Sequence, residues 1–218
     1  MKILIDNGHG NNTAGKCSPD NSLKEWHYAR LIANELVNSL KLQCYDAELL
    51  VPEINDTSLS ERVKRVNGWC DLLGKNNVCL VSIHCNAAGS DGKWKSAGGW
   101  SVYTSPGQTQ GDVLATCLWN AANEVLKPYI DRFPVHQGEG HYDSKQKPIR
   151  ADWSDGDPDY EANFTILTKT KCAAALTESL FQDNKKDVEF LLSEEGIKCI
   201  VGLHVQGIKD YIVSRPRI

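Results

Sequence analysis

Three polar residues stand directly after apolar runs that read as strands: His9 after the run 3–8, His84 after 79–83 and Glu178 after 173–177. A fourth, Glu25, lies at the start of the first helical pattern, whose N-terminus can fold back over the same edge. Two neutral imidazoles and a carboxylate are a zinc-binding set that leaves the fourth tetrahedral position open to water, as a catalytic site requires. With His9, Glu25 and His84 as ligands to one zinc per chain, Glu178 remains as the acid that takes a proton from water and returns it to a departing amine. The chemistry is metal-assisted hydrolysis.

Taken singly, each residue has a plainer reading. Glu25 follows Ser22 at the third helical position, where it can close a capping box. His9 and His84 can be loop or core histidines, and Glu178 an exposed strand end. Their meeting on one edge favours a site, because ligands of open α/β sheets bind beyond the carboxyl ends of the strands. Other candidates fare worse. His204 falls in the apolar stripe of the last helical pattern and reads as packed. His27 is two residues past Glu25 and points to another face of that helix. His136 and His141 lie in a long aperiodic segment, exposed or within reach of a substrate. The series Asp152, Asp155, Asp157, Asp159 and Glu161 lacks the glycine and terminal glutamate of an EF-hand loop and reads as a solvated loop. A thiol mechanism through Cys85 fails on alternation: Cys79, Val81, Ile83 and Cys85 share one strand face, while Leu80, Ser82 and His84 share the other.

The elements that must position these groups follow from period. Residues 1–6 and 77–84 read as central strands, with further strands at 45–50, 99–104, 163–168 and 172–177. The last is weaker, since alanine favours strand less than valine does. Helices are expected over about 23–41, from about Ser58 to a stop at Gly74, over about 108–127 with Pro128 ending it, and along the stripe Ile197, Val201, His204, Ile208 and Tyr211. Alternating strands and helices imply right-handed crossovers and an α/β fold: one domain over 1–218, with a mainly parallel sheet, mixed and twisted, and helices on both faces. The segment 128–161 has no period and is too long for an ordinary connection, so it reads as a surface insertion.

Composition bounds the partners. The chain has 218 residues and a formal charge of −4, with Lys and Arg dispersed, which leaves no basic footprint for nucleic acid. No apolar run approaches the roughly 20 residues that span a bilayer, so neither a membrane partner nor an anchor or signal peptide is expected. Eight scattered cysteines without a CxxC pair read as reduced thiols, in keeping with synthesis in the cytoplasm.

The same residues carry a resemblance. Ile5-Asp6-Asn7-Gly8-His9-Gly10 resembles the opening strand and first zinc histidine of the catalytic domain of zinc-dependent N-acetylmuramoyl-L-alanine amidases, found in bacterial autolysins and phage endolysins. Asn7 stands where a proline is common. Glu25 matches that family's carboxylate ligand, and Asp56-Thr57-Ser58-Leu59-Ser60-Glu61-Arg62 with Asn67 its next block. Val81-Ser82-Ile83-His84-Cys85-Asn86-Ala87 is similar to the second-histidine motif, and Ala175-Leu176-Thr177-Glu178 with Phe181 and Asn184 to the block of the catalytic glutamate. The resemblance implies hydrolysis of the amide joining N-acetylmuramic acid to L-alanine in peptidoglycan or muropeptides, with zinc and no organic cofactor. The enzyme is expected to act as a monomer at the cell wall after release or export. The segment 128–161 has no counterpart in the pattern. Trp94, Trp100, Trp153 and Arg150 can line a glycan or peptide groove or simply pack. Two rivals remain: a peptidoglycan-binding module without catalysis, and a zinc deacetylase or peptidase.

Overall fold

Apolar alternation in β1 (Lys2–Asn7) sends Ile3 and Ile5 to one side of a sheet and Leu4 to the other, so both faces need covering. A computed structural model, which describes residues 1–133 and 147–215, shows how this is met. In chain order the elements are β1, α1 (Glu25–Leu42), β2 (Asp46–Leu49), α2 (Leu59–Leu73), a 3₁₀ turn (Lys75–Asn77), β3 (Val78–Asn86), β4 (Ser101–Thr104), α3 (Gln110–Val125) and α4 (Lys127–Ile130). There follow β5 (Tyr160–Glu161), α5 (Thr165–Thr168), β6 (Ala173–Phe181), α6 (Lys185–Leu191) and α7 (Glu194–Ser214). The strands form one sheet in the order β2-β1-β3-β6-β4-β5. All pairs are parallel except β4 against β6. This is the expected α/β architecture with a mixed sheet.

The larger core lies on the face of α1, α3 and α7, where Ile3, Ile5, Val81 and Ala175 meet Ile32, Leu36, Leu118 and Leu203. The smaller one holds Leu4, Leu80, Ala174 and Leu176 under α2 and α5. Helix starts follow side-chain caps: the Ser58 hydroxyl accepts from the Glu61 N–H at 3.3 Å, and Thr109 and Asp112 form a capping box. Gly207 of α7 is needed for close packing, since a Cβ there would lie 2.7 Å from the Leu118 Cα of α3.

Three expectations change. Segment 163–168 is not a strand: Ile166 and Leu167 are both buried in the smaller core, which strand alternation forbids and the helical turn α5 permits. Pro128 does not close a helix but sits in the first turn of α4, where its missing N–H costs nothing. The alanine-rich strand, read as weak, is the nine-residue β6 in the middle of the sheet, because packing between two cores outweighs intrinsic propensity. Of the segment 128–161, residues 134–146 lie outside the described residues. Its flanks contribute Tyr129, Phe133 and Ile149 to the larger core, and Tyr160–Glu161 pairs with β4.

His204 is a packed histidine. Its Nδ1 faces the Ile200 carbonyl at 2.7 Å, so the proton sits on Nδ1, and Nε2 meets the Thr177 hydroxyl at 2.8 Å. Burial lowers its pKa to about 4, with the Ile200 hydrogen bond opposing. The folded state therefore binds the imidazole proton less readily than the unfolded chain, whose histidine titrates near 6.5, and stability falls as pH drops from there towards 4. This one group should remove roughly 2 kcal/mol of stability between about pH 7.5 and 5. Urea unfolding at the two pH values checks it: the loss should shrink by that amount in His204→Gln, and equal losses would show that His204 is not the linked group.

Candidate active site

Parallel pairing of β1, β3 and β6 brings their carboxyl ends to one edge. In register, Asn7 lies beside Ile83 and His84 beside Glu178, so His84 and Glu178 are neighbours on the α2 side of the sheet. Past Asn7 the chain must turn sharply, and His9 adopts a left-handed backbone with φ 61°. Gly8 permits this approach: a Cβ there would lie 2.3 Å from the His84 Cε1. Arg62 of α2, 3% exposed, locks the turn. Its guanidinium pairs with Asp6, donates to the Asn7 carbonyl at 2.8 Å and the His9 carbonyl at 3.4 Å, and reaches Asp56 at 2.9 Å. Its place in the Asp56–Arg62 block was visible in the sequence, but this clamping of the His9 turn was not.

Glu25 reaches the edge from the opposite face, and its expected cap with Ser22 does not form. The helix begins at Glu25 itself, Lys24 provides no side-chain cap, and the Ser22 hydroxyl donates to Asp20 at 2.7 Å. The preceding loop folds back, with the Glu25 N–H on the Lys16 carbonyl at 3.0 Å. The carboxylate is thereby turned inward. Its Oε1 lies 3.0 Å from His84 Nδ1 and 3.3 Å from His9 Nε2, and accepts from the Cys85 N–H at 3.1 Å. Its Oε2 accepts from Gln182 Nε2 at 3.1 Å. Burial opposes the charge on Glu25, but the hydrogen bonds from His84 and His9 prevail and hold its pKa well below the ordinary range. For His84, burial favours the neutral ring, yet Glu25 raises its pKa on balance.

His9, Glu25 and His84 are, among the described residues, a group whose ligand atoms lie within 4.8 Å of one another and could hold a metal ion. Glu178 is half-buried beside them, and its Oε2 has no hydrogen-bond partner. Burial raises its pKa to about 7, with His84 opposing and the Glu25 charge adding to the rise. A carboxyl poised near neutrality can both accept and give up a proton. A cavity of about 190 Å³ opens onto the imidazoles, lined also by Asp56, Thr57, Leu59 and Ile166.

The remaining candidates lie elsewhere. Cys85 is buried in the larger core, on the strand face opposite His84, and burial pushes its thiol well above the usual range. His27 is exposed beside Trp26. His136 and His141 fall outside the described residues. The acidic series is not wholly solvated: Asp159 is 3% exposed and bonded to the Thr104 hydroxyl, because the loop folds back on β4. Trp100 is fully buried as core, while Trp153 is 58% exposed and meets Trp119 edge-on. Arg150 stacks over Phe181 at 5.0 Å.

A sheet edge with two imidazoles, a buried carboxylate and a second carboxyl of raised pKa is a layout suited to hydrolysis. Residues 3–210 match the family model described as Amidase_3, N-acetylmuramoyl-L-alanine amidase, and the chain belongs to that family. It is an enzyme of peptidoglycan, acting on the bond between N-acetylmuramic acid and L-alanine. The chain is 29% identical over 210 residues to the N-acetylmuramoyl-L-alanine amidase CwlM of Bacillus licheniformis, covering 95% of this chain and 67% of that protein. The fold is shared with an N-acetylmuramoyl-L-alanine amidase of Clostridium difficile 630 at TM-score 0.72 and 24% identity, over 99% of this chain and 98% of that one. It is shared too with the catalytic domain of CwlV from Bacillus (Paenibacillus) polymyxa var. colistinus at TM-score 0.68 and 21% identity, over 99% and 100% of the two chains.

Proposed function

We propose that this amidase is zinc-dependent, with His9, Glu25 and His84 as the protein ligands and Glu178 as the proton carrier. The observation that supports this best is the convergence of both imidazole nitrogens on a single oxygen of Glu25, at 3.0 and 3.3 Å. Two imidazoles and a carboxylate are a zinc-binding set by type, and the three donor atoms lie within 4.8 Å of one another, close enough to be gathered around one ion. Zinc held there would supply Lewis acidity, polarising a carbonyl and acidifying water.

The chain's own residues do the rest. Glu178, whose pKa burial raises to about 7, takes a proton from the water that attacks the lactyl carbonyl of muramic acid. It then passes that proton to the L-alanine nitrogen as the amide bond breaks. Arg62 keeps the His9 turn in place throughout through its bonds to the Asn7 and His9 carbonyls. We place the reaction at the cell wall, on protein that has been released or exported, and assign it to the monomer.

Digestion of purified peptidoglycan tests the reading. Mass spectrometry should find stem peptides with a new L-alanine amino terminus and sugar chains whose glycosidic bonds and acetyl groups are intact. Released acetate would point instead to a deacetylase, and cleavage within the stem to a peptidase. A folded, zinc-loaded protein that yields no product would be a binding module.

A further inference from the structure

Gln182 lies just past β6 and touches none of the atoms that react. Its position depends on an irregularity. The β3–β6 register passes from His84 beside Glu178 to Asn86 beside Phe181, so one extra residue is taken up on β6. Leu180 absorbs it with φ 62°, a left-handed backbone rare for a residue with a branched side chain. After this bulge the Gln182 N–H is fixed to the Asn86 carbonyl at 2.8 Å, and its side chain, in a residue 2% exposed, turns back under the site. There Nε2 donates to Glu25 Oε2 at 3.1 Å and to the Cys85 carbonyl at 3.4 Å. Both partners only accept, so the orientation of the amide is set by its surroundings.

We infer that Gln182 is a positioning residue which occupies one oxygen of Glu25 and leaves the other as the single oxygen offered to the metal. The two carboxylate oxygens are held by different means. Oε1 faces both imidazoles and the Cys85 N–H, whereas Oε2 is tied back to the Gln182 amide. A carboxylate free to rotate can grip a cation through both oxygens, filling a position that substrate and water need. Gln182 opposes that rotation and pre-orients the ligand, the usual role of an outer-shell hydrogen bond. This inference rests on the zinc reading above.

Metal-free full-length protein, titrated with zinc against a chromogenic chelator, gives the test. Gln182→Leu, which keeps bulk but removes the donor, should bind zinc roughly 10–100-fold more weakly. Gln182→Glu, which sets a carboxylate against Glu25, should be weakened at least as much. In cobalt-substituted protein the wild type should show the intense visible bands of a four-coordinate ion, and Gln182→Leu should lose intensity as the second oxygen of Glu25 joins. Circular dichroism of the metal-free proteins shows whether each variant folds, and Gln182→Met takes the place of any that does not. Variants that bind zinc as tightly as the wild type, with unchanged cobalt spectra, would overturn the role of Gln182 alone. A wild-type protein that takes up no zinc would overturn both this role and the metal reading beneath it.

Discussion

Glu178→Gln should keep the fold and the proposed metal-binding set and lower turnover by roughly 10²–10⁴, the range for loss of a general acid–base. The substitution is nearly isosteric, and the unpartnered Oε2 of Glu178 means that no hydrogen bond of that atom within the protein is lost with it. The variant cannot accept the proton that Glu178, with its pKa raised by burial to about 7, is placed to carry. Because the proton carrier acts in the chemical step, the loss should fall on kcat, with KM little changed. Steady-state kinetics on soluble muropeptides, beside zinc content and a thermal melt, separate these quantities. Turnover within a few-fold of wild type would reduce Glu178 to a strand-end carboxylate and send the search for the proton carrier elsewhere.

If the zinc reading holds, stripping the metal with a chelator should abolish activity and returning zinc should restore it, and replacing His9, Glu25 and His84 together by alanine should leave the purified protein without zinc. Each ligand taken alone should cost more than the roughly 10–100-fold in affinity that outer-shell partners contribute. Glu25 is the most telling of the three. It is 1% exposed and its Oε1 is the atom on which both imidazoles converge, so Glu25→Ala should remove one proposed ligand together with the contact that aligns the other two. Elemental analysis gives the readout independently of activity. Full zinc occupancy in the triple variant would place the metal at another site altogether.

Much of this was legible before the chain was folded. His9, His84 and Glu178 could be picked out because each follows an apolar run, although β3 and β6 continue past His84 and Glu178 to Asn86 and Phe181, and a parallel sheet must deliver the carboxyl ends of its strands to one edge. Strand alternation placed Cys85 and His84 on opposite faces, which removed the thiol mechanism, and burial of Cys85 in the larger core agrees. The helix stripe of α7 marked His204 as packed, and it is fully buried. These features are local: they depend on periods of 2 and 3.6 residues that a single segment displays by itself.

What only the tertiary structure decided depends on partners far away in the chain. Glu25 suits a helix cap in its own neighbourhood, and nothing within a few residues says that its carboxylate turns away from Ser22 towards His84, 59 positions on. The run 163–168 has residues suited to a strand, but α2 takes Ile166 and Leu167 on one side together, so it coils. Leu180 carries no glycine-like signal for the bulge that follows Glu178, and without that bulge Gln182 has no route to Glu25, 157 positions earlier. The sequence by itself therefore determined that His9, His84 and Glu178 reach one edge of the sheet, because periodicity is a property of the segment. Their orientation there was decided by the fold, because it is set by hydrogen bonds between segments that meet only when the sheet and its helices have packed.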